Sequence, residues 1–252
     1  MMVTTTNLIK ENSSPKKCKL CGKPYKPCEI TVQGRTSTVY ACDCNCYEEE
    51  QARKAAEKRK KWLQEKFQNA NIGKRYADIT LDILEEWGTE NVAAAKEFVE
   101  KFNPEEGKSL HFIGEFGNGK TSLGYAILKA LLLKNFNCVS ITWSDFVTRC
   151  YYAKSYASTE TVEQLLAWIC QFDLVMLDEF VVNVKDEKEI NLASTLFDNL
   201  YKDNKSFILI NNPCDITDIK TVARLGKVLD RIKHQAEILK FTNPSYRRSE
   251  NA

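Results

Sequence analysis

A glycine-rich octapeptide has the residue types and spacing of a phosphate-binding loop. Residues 114–121 read GEFGNGKT, the pattern G-x-x-x-x-G-K-T, between the apolar stretch LHFI and a run of helix-forming residues. Glycines let successive backbone N–H groups turn towards phosphate oxygens, and the N-terminus of the following helix adds a positive dipole end. The lysine of such a loop reaches the β- and γ-phosphates, and the hydroxyl that follows coordinates Mg²⁺. The pattern therefore predicts an ATP site.

The residues expected to hold the nucleotide are those of the loop and the first residues of the helix. In sequence order they are Gly114, Glu115, Phe116, Gly117, Asn118, Gly119, Lys120, Thr121 and Ser122. Lys120 is assigned to the phosphates and Thr121 to Mg²⁺. A chance match remains the alternative, expected in about one chain in a hundred of this length from average residue usage.

A second pattern predicts the catalytic carboxylates. Residues 174–179 read LVMLDE, four apolar residues followed by two acids. An apolar strand of this kind belongs in the centre of a parallel sheet, and ligands bind at the carboxyl ends of such strands. Asp178 is expected to hold Mg²⁺ through its water shell, and Glu179 to orient and deprotonate the attacking water. The alternative is a strand that ends in two solvated acids.

A third strand, FILIN, ends in Asn211, Asn212 and Pro213. A side-chain amide at this strand end could contact the γ-phosphate or position the water. A turn-forming asparagine before proline is an equally good reading of the same residues.

The elements that must position these residues alternate along the chain. Strands are expected at 109–113, 138–141, 172–177 and 206–210, and helices at 91–102, 121–134 and 190–201. Strands that alternate with helices of ten or more residues predict an α/β fold, with a parallel sheet covered by helices on both faces. No internal repeat interrupts this pattern.

At this point the sequence resembles the bacterial DnaC/DnaI-type helicase loaders, AAA+ ATPases that include phage-encoded members. The likeness runs from about Ile72 to Arg248. It rests on IGKRYAD at 72–78, the phosphate loop, VSITWSDF at 139–146, LVMLDEF at 174–180, RLGKVLDR at 224–231 and PSYRR at 244–248. The last two segments discriminate best, because many unrelated ATPases share the earlier motifs.

The resemblance implies further roles. Asn212 is similar to the polar sensor on the third strand. Arg231, in LDRI, resembles the arginine finger given to a neighbouring subunit's ATP, and Arg247, in SYR, resembles the second sensor arginine. A guanidinium donates two fixed hydrogen bonds to phosphate and is always charged, which suits both roles. A surface ion pair is the alternative for each arginine.

An insert between the second strand and the acidic strand LVMLD, residues 144–172, is longer than a minimal ATPase needs. In the families that this chain resembles, the matching insert forms helices that face DNA or the next subunit. Here it offers Arg149, Tyr151, Tyr152, Lys154 and Tyr156. Aromatic rings beside cations suit single-stranded DNA, and clustered tyrosines serve protein interfaces equally well.

Six of the ten cysteines lie within residues 18–46. Cys18 and Cys21 form a C-x-x-C knuckle, and a predicted hairpin with strands at 29–32 and 37–40 returns the chain to Cys42, Cys44 and Cys46. A structural Cys₄ zinc site is expected from Cys18, Cys21 and two of the last three, between which the sequence does not choose. A redox C-x-x-C is disfavoured because no βαβ unit follows it. Cys28 is the least suited ligand, and Cys138, Cys150, Cys170 and Cys214 are expected to be buried apolar residues.

The charge divides along the chain in the same way. The net charge of +2 combines residues 1–70, with 14 Lys/Arg and 8 Asp/Glu, and an acidic remainder with 22 and 26. This predicts a zinc-binding, zinc-ribbon-like module at 1–46, a charged helical linker at 47–70 and an AAA+ ATPase domain at 71–252. The helix of the linker is polar enough to be a mere spacer. A stretch apolar enough to cross a membrane or to act as a signal peptide is missing, so a cytoplasmic protein of a bacterial cell or its phage is expected.

These observations predict an ATP-dependent loader that delivers a ring-shaped replicative helicase onto single-stranded DNA. The resemblance implies that the zinc module binds the helicase, and that the ATPase domain binds DNA and other copies of the chain in a ring or spiral. One alternative is an IstB-like transposition helper, which acts with a transposase. A second alternative is a zinc-containing adaptor whose weak ATPase serves as a nucleotide-gated switch.

Overall fold

A computed structural model describes residues 17–32, 35–85, 90–153, 159–213 and 219–245. The chain divides into two compact units between Gln64 and Glu65. The predicted domain boundaries after residues 46 and 70 stay predictions. In the described residues, none of the helices is both long enough and apolar enough to cross a bilayer.

The N-terminal unit contains a hairpin and most of a long helix. Strands β1 (Lys26–Val32) and β2 (Arg35–Ala41) pair antiparallel, with Val32 opposite Arg35, so each strand is longer than the sequence predicted. Helix α1 (Cys46–Asn69) has no buried residue, in keeping with its charged sequence. Within this helix, Glu50 and Lys54 are spaced i,i+4 and form an ion pair at 3.2 Å.

The second unit is built on a parallel sheet, as predicted, which has five strands in the described residues. Its strands are β3 (Ser109–Gly114), β4 (Cys138–Thr142), β5 (Leu174–Asp178), β6 (Ser206–Asn211) and β7 (Ala236–Phe241), in the order β4-β5-β6-β3-β7. The described helices after α1 are α2 (Leu81–Glu85), α3 (Glu90–Glu100), α4 (Lys120–Leu133), α5 (Trp143–Ala153), α6 (Val162–Ile169), α7 (Glu187–Lys202) and α8 (Ile219–Gln235). Two single-turn 3₁₀ helices occupy residues 74–76 and 104–106.

Apolar side chains cover both faces of this sheet. Leu110 and Phe112 of β3 point to the face covered by α2, α3 and α4, where Ile127 and Leu131 of α4 are fully buried. Residues of β5 and β6 that point the other way pack against α5, α6, α7 and α8. Central strands made mostly of apolar residues are what a doubly covered parallel sheet requires. Cys138 and Cys150 lie in this core as predicted, whereas Cys170 is only partly buried and Cys214 lies outside the described residues.

Strand β7 and helices α2 and α8 were not predicted from the sequence. β7 reads AEILKF and lies at the edge of the sheet, where Ile238 is exposed and Leu239 is buried. An edge strand with mixed exposure lacks the apolar run that marks the central strands. Its place in the sheet follows from pairing with β3, in register from Ser109 opposite Ala236 to Gly114 opposite Phe241.

The strand order gathers the candidate catalytic residues. β5, β6 and β3 are neighbours and parallel, so their carboxyl ends lie at one edge of the sheet. Gly114, Asp178 and Asn211 are the last residues of these strands. The phosphate loop, the carboxylates and the asparagine pair therefore meet there.

Candidate nucleotide site and cysteine cluster

The phosphate loop connects β3 to α4 through residues in unusual backbone conformations. Gly117 and Gly119 have φ angles of 80° and 92°, in the region that residues with a side chain rarely adopt. Gly119 is the N-cap of α4 and has no side-chain cap, so the first N–H groups of the helix face the loop. Asn118, which is buried, donates from Nδ2 to the Phe241 carbonyl oxygen at 2.9 Å and attaches the loop to β7.

Lys120 places its ammonium group at the centre of this loop. Its Nζ donates to the carbonyl oxygens of Gly114 and Glu115, both at 2.6 Å, and lies 3.1 Å from Asn118 Oδ1. The side chain is buried although it carries a charge. A buried ammonium surrounded by oxygen acceptors can exchange these for phosphate oxygens, which fits the predicted role.

Thr121 and Asp178 bring oxygen ligands together at the same point. The Thr121 hydroxyl lies 3.5 Å from Asp178 Oδ1, across the gap between α4 and β5. Asp178 is buried, and burial raises the pKa of its carboxyl group above the usual value. Its ionised form would be stabilised by a nearby cation. A hydroxyl and a carboxylate are hard oxygen donors of the kind Mg²⁺ takes, so the residues present fit this metal.

Glu179 lies directly after β5 in a left-handed conformation. Its φ is 51°, and its N–H donates to Asp178 Oδ1 at 2.9 Å. The side chain is exposed. It lines a cavity of about 540 Å³ together with Phe116, Trp143, Ser144, Val147, Thr148, Val181, Glu189 and Asn212. A free carboxylate at the mouth of a cavity can reach a water molecule there.

The two asparagines at the end of β6 have different surroundings. Asn212 Oδ1 lies 3.4 Å from Lys120 Nζ, beside the phosphate loop. Asn211 is buried and contacts His111 and Phe180 instead. The position of Asn212 fits the sensor role that the resemblance implies for it. Asn211 was considered only as one of the amides at this strand end, and His111 was not predicted as a site residue; a polar residue within an otherwise apolar strand was the signal for both.

Arg231 lies one turn before the end of α8. Its guanidinium pairs with Asp198 of α7 and lies 6.0 Å from the centroid of the Tyr201 ring. Because α8 leads directly into β7, its end lies at the edge of the sheet where the strands begin, roughly 17 Å from the loop that follows the six-residue strand β3. Arg231, one turn before this end, therefore lies towards the side of the sheet where the strands begin, opposite to the phosphate loop of its own chain.

The remaining cations and aromatic residues that were predicted to contact nucleotide, DNA or a partner differ in their surroundings. Arg247 lies outside the described residues, as do Lys154 and Tyr156. Arg149 forms a two-pronged ion pair with Glu160, at 2.7 and 3.0 Å, and its guanidinium lies 4.7 Å from the Trp168 ring centroid. Tyr151 donates its hydroxyl hydrogen to Asp186. Tyr152 is exposed, so of the described members of the set it best fits the predicted contact with a partner.

In the N-terminal unit, four cysteines bring their sulfur atoms together. The Sγ atoms of Cys18, Cys21, Cys44 and Cys46 all lie within 4.8 Å of one another. The Sγ atoms of Cys18 and Cys44 are 3.7 Å apart. In a tetrahedral site with Zn–S bonds of about 2.3 Å, sulfur atoms lie about 3.8 Å apart, so this group fits zinc. Cys42 and Cys28 are outside the group.

Local structure explains how the four thiols converge. In the knuckle, Cys18 N–H donates to Lys23 O at 2.7 Å and Gly22 N–H to Cys18 O at 2.9 Å, with Gly22 at a φ of 74°. Cys46 is the first residue of α1, and a hydrogen bond with Cys21 is the main cause that raises the pKa of its thiol to about 12. A hydrogen bond with Cys42 is the main cause that lowers the pKa of Cys44 to about 6. Thiolates are the form that binds zinc.

Comparisons with known proteins agree with this geometry. A family model described as IstB-like ATP binding protein matches residues 90–252. The replicative helicase loader DnaC of Buchnera aphidicola subsp. Baizongia pistaciae is 28% identical over 159 residues, which cover 62% of this chain and 63% of the relative. A protein of Sinorhizobium fredii, named as an insertion-sequence ATP-binding protein, is 26% identical over 145 residues, which cover 57% of this chain and 48% of that protein.

A solved structure extends the comparison to the fold. The crystal structure of the DnaC helicase loader superposes with a TM-score of 0.57 at 25% sequence identity, covering 68% of this chain and 100% of that one. The chain thus has the fold of a DnaC-type ATPase domain, as its sequence predicted. It spans about 63% of the length of the curated relative that it matches.

Proposed function

Because the chain belongs to the family of IstB-like ATP-binding proteins and is homologous to DnaC, we propose that it is an ATP-hydrolysing loader of a replicative helicase. It would deliver the helicase ring onto single-stranded DNA during DNA replication in the bacterial cytoplasm. The observation that carries the ATPase part is the convergence of Lys120, Asp178, Glu179 and Asn212 at one edge of the sheet. The choice of partner rests on the relatives named as helicase loaders.

In the proposed reaction, the phosphate loop binds the triphosphate. Lys120 donates to the β- and γ-phosphates, and the N–H groups at the start of α4 add further donors. Thr121 and Asp178 hold Mg²⁺, which when bound neutralises charge that develops on the phosphates. Glu179 accepts a proton from the attacking water, and Asn212 positions that water or the γ-phosphate. Arg247 is proposed to contact the nucleotide of its own chain.

Hydrolysis is proposed to depend on assembly. Arg231 lies towards the edge of the sheet opposite to its own phosphate loop, so a neighbouring chain is the site it would serve. An arginine supplied in trans stabilises charge in the transition state and makes turnover conditional on contact between subunits. Release from Asp198 would be needed first, since the two side chains form an ion pair.

The cysteine cluster is proposed to bind zinc through Cys18, Cys21, Cys44 and Cys46. A unit of this size buries too little apolar surface to fold alone, so bound metal would supply folding free energy. The resulting module is proposed to dock on the helicase, and the net positive charge of residues 1–70 also suits contact with DNA.

A second candidate is a transposition helper. It is favoured by the description of the family and by the insertion-sequence ATP-binding protein among the relatives. Such a helper would share the ATPase site and act with a transposase in place of a helicase. An adaptor with weak turnover, used as a nucleotide-gated switch, is the third.

A capture experiment separates these candidates. The full chain, tagged at its C-terminus, is mixed with purified replicative helicase in ATP and Mg²⁺, and in parallel with a transposase of an insertion element. A loader retains the helicase and loses it when Cys44 is replaced by serine, whereas Cys28→Ser serves as the matched control. Retention of the transposase alone would reject the loader. Rapid ATP turnover without either partner would reject the switch, whose turnover is weak by definition.

A further inference from the structure

A buried hydrogen-bonded pair lies behind the candidate catalytic glutamate. Asn211 and His111 are polar residues within the core, 1% and 3% exposed. His111 Nε2 lies 2.9 Å from Asn211 Oδ1, and Asn211 Nδ2 donates to the Phe180 carbonyl oxygen. None of these atoms belongs to the phosphate loop or to the proposed metal ligands. Polar groups in a core are costly unless they are hydrogen-bonded, and His111 Nδ1 has no partner among the described residues, which calls for an explanation of this pair.

The orientation of the pair follows from its acceptor. A carbonyl oxygen can only accept, so the NH₂ group of Asn211 must face Phe180 and its oxygen must face His111. His111 then carries its proton on Nε2. Its Nδ1 is buried and has no hydrogen-bond partner among the described residues, and burial lowers the pKa of the ring, so the neutral form is favoured. The two hydrogen bonds therefore run in one direction: His111 donates to Asn211, and Asn211 donates to the Phe180 carbonyl oxygen.

Phe180 is held to β6 at both of its backbone groups. Its N–H donates to Ile210 O at 3.0 Å, and its carbonyl accepts from the Asn211 side chain. Its ring is buried against Trp143 and Phe197, with centroids 4.9 and 5.4 Å away. On the other side, Asp178 is the last residue of β5. Glu179 therefore bridges two fixed residues.

Glu179 is in a conformation that glutamate rarely adopts, with a φ of 51°. Such a conformation persists only where the surroundings enforce it. From these contacts we propose that Asn211 is a positioning residue, which with His111 fixes the Phe180 carbonyl and so aims the Glu179 carboxylate at the reacting water. The inference rests on the proposed function, because it assigns Glu179 as the base.

Kinetics of the full chain with ATP and Mg²⁺ tests this role. Asn211→Asp keeps the shape but turns a second acceptor towards the Phe180 carbonyl, and Asn211→Leu removes both hydrogen bonds. We expect each to lower kcat on the order of ten- to hundred-fold, because small displacements of a catalytic group have effects of this size. The KM for ATP and the affinity for a fluorescent ATP analogue stay within about two-fold of wild type, since the phosphate loop is untouched. Ser206→Ala is the matched control: it lies on the same strand, is fully buried, and its hydroxyl has no partner among the described residues.

A double-mutant cycle separates positioning from general damage. If Asn211 acts through Glu179, its replacement costs nothing more in a Glu179→Gln background. Equal losses in both backgrounds, or Asn211 variants with wild-type kcat while Glu179→Gln is inactive, would overturn the inference and leave the proposed function intact. Wild-type turnover by Glu179→Gln would reject the base assignment and the positioning role with it. Urea denaturation of each variant shows whether it is folded. If Asn211→Leu is unfolded, the kinetics of the isosteric Asn211→Asp test the inference.

Discussion

At the scale of single residues, the site depends on where a few polar atoms are buried. Lys120 and Asp178 are both enclosed, and each has the other's charge nearby as well as hydrogen-bond partners. Glu179 differs, because its carboxylate is exposed at a cavity. Enclosed charges suit binding, and a free carboxylate suits proton transfer. The three residues therefore separate binding from chemistry, which can be tested one side chain at a time.

Glu179→Gln is the first such test. The amide keeps the size of the side chain but cannot accept the proton, so we expect kcat for ATP hydrolysis to fall by about 100-fold or more, as for loss of a general base. ATP affinity is retained, because Lys120 and the loop are unchanged. Steady-state turnover and binding of a fluorescent ATP analogue measure the two effects. Glu100→Gln, an exposed acid on α3, is the control, and an equal loss there would show that the effect is not specific.

His111 leads to a prediction about pH. Burial lowers its pKa, so the folded chain leaves it neutral while the unfolded chain protonates it below about 6.5. The free energy of unfolding therefore falls as the pH drops below that value, by at most about 1.4 kcal/mol at pH 5.5 from this group. Urea denaturation at pH 7.5 and 5.5 measures the difference.

The matched comparison uses the only other histidine. In His111→Gln the pH dependence is reduced, whereas His234→Gln, an exposed ring on α8, retains it. An unchanged pH dependence in His111→Gln would show that the ring is not held neutral in the folded state.

At the scale of elements, the helices and strands position the functional groups of the site at their ends. The start of α4 supplies donors to the loop, and the ends of β5 and β6 supply the carboxylates and the asparagines. Further along α4, Lys129 is buried and donates to the carbonyl oxygens of Tyr76 and Ala77 at 2.9 and 2.8 Å. This holds the segment IGKRYAD to the same helix that carries the loop. In the sequence, a lysine within an apolar helix does not indicate that it contacts this segment.

The hairpin and the start of α1 likewise position functional groups, because they bring the cysteine thiols together. If Cys18, Cys21, Cys44 and Cys46 bind zinc, Cys44→Ser lowers the affinity and the purified chain loses its metal, because a structural site needs all four ligands. Cys28→Ser retains zinc, since that side chain is outside the group. Metal content by atomic emission measures both variants. Zinc in Cys44→Ser at the wild-type ratio, or a wild-type chain without zinc, would contradict the assignment.

At the scale of the whole molecule, the ATP site is proposed to be completed by another copy of the chain. Arg231→Ala should bind ATP, but if the arginine acts as a finger the variant should hydrolyse ATP about 1000-fold more slowly than wild type. Mixing it with Glu179→Gln restores activity, because sites with intact Glu179 then receive Arg231 from the other variant. With random mixing, about a quarter of the sites are complete, so about a quarter of the wild-type rate is expected.

Arg224→Ala is the control for this experiment. Arg224 lies on the same helix and also forms an ion pair, with Glu187. We expect it to keep its turnover alone. Failure of the mixture to recover activity, at concentrations where the chains assemble, would exclude a finger supplied in trans.

The sequence by itself determined the parts whose chemistry is local. GEFGNGKT specifies a loop because glycine spacing and the following helix are set by neighbouring residues, and LVMLDE specifies a buried strand with acids at its end. The ordering of the alternating strands and helices was enough for the α/β class, and short sequence motifs carried the resemblance to helicase loaders. These features depend on few contacts between distant residues, so they can be recognised before the chain is folded.

The tertiary structure decided what depends on packing between distant segments. It placed Cys44 and Cys46, and not Cys42, beside Cys18 and Cys21, because the hairpin register and the start of α1 set which sulfurs converge. It gave adjacent asparagines different partners, because Asn211 ends β6 inside the core whereas Asn212 follows the strand and lies beside the phosphate loop. It also engaged Arg149 with Glu160, and it added β7 as an edge strand. Such outcomes follow from strand order and register, which a single sequence does not fix.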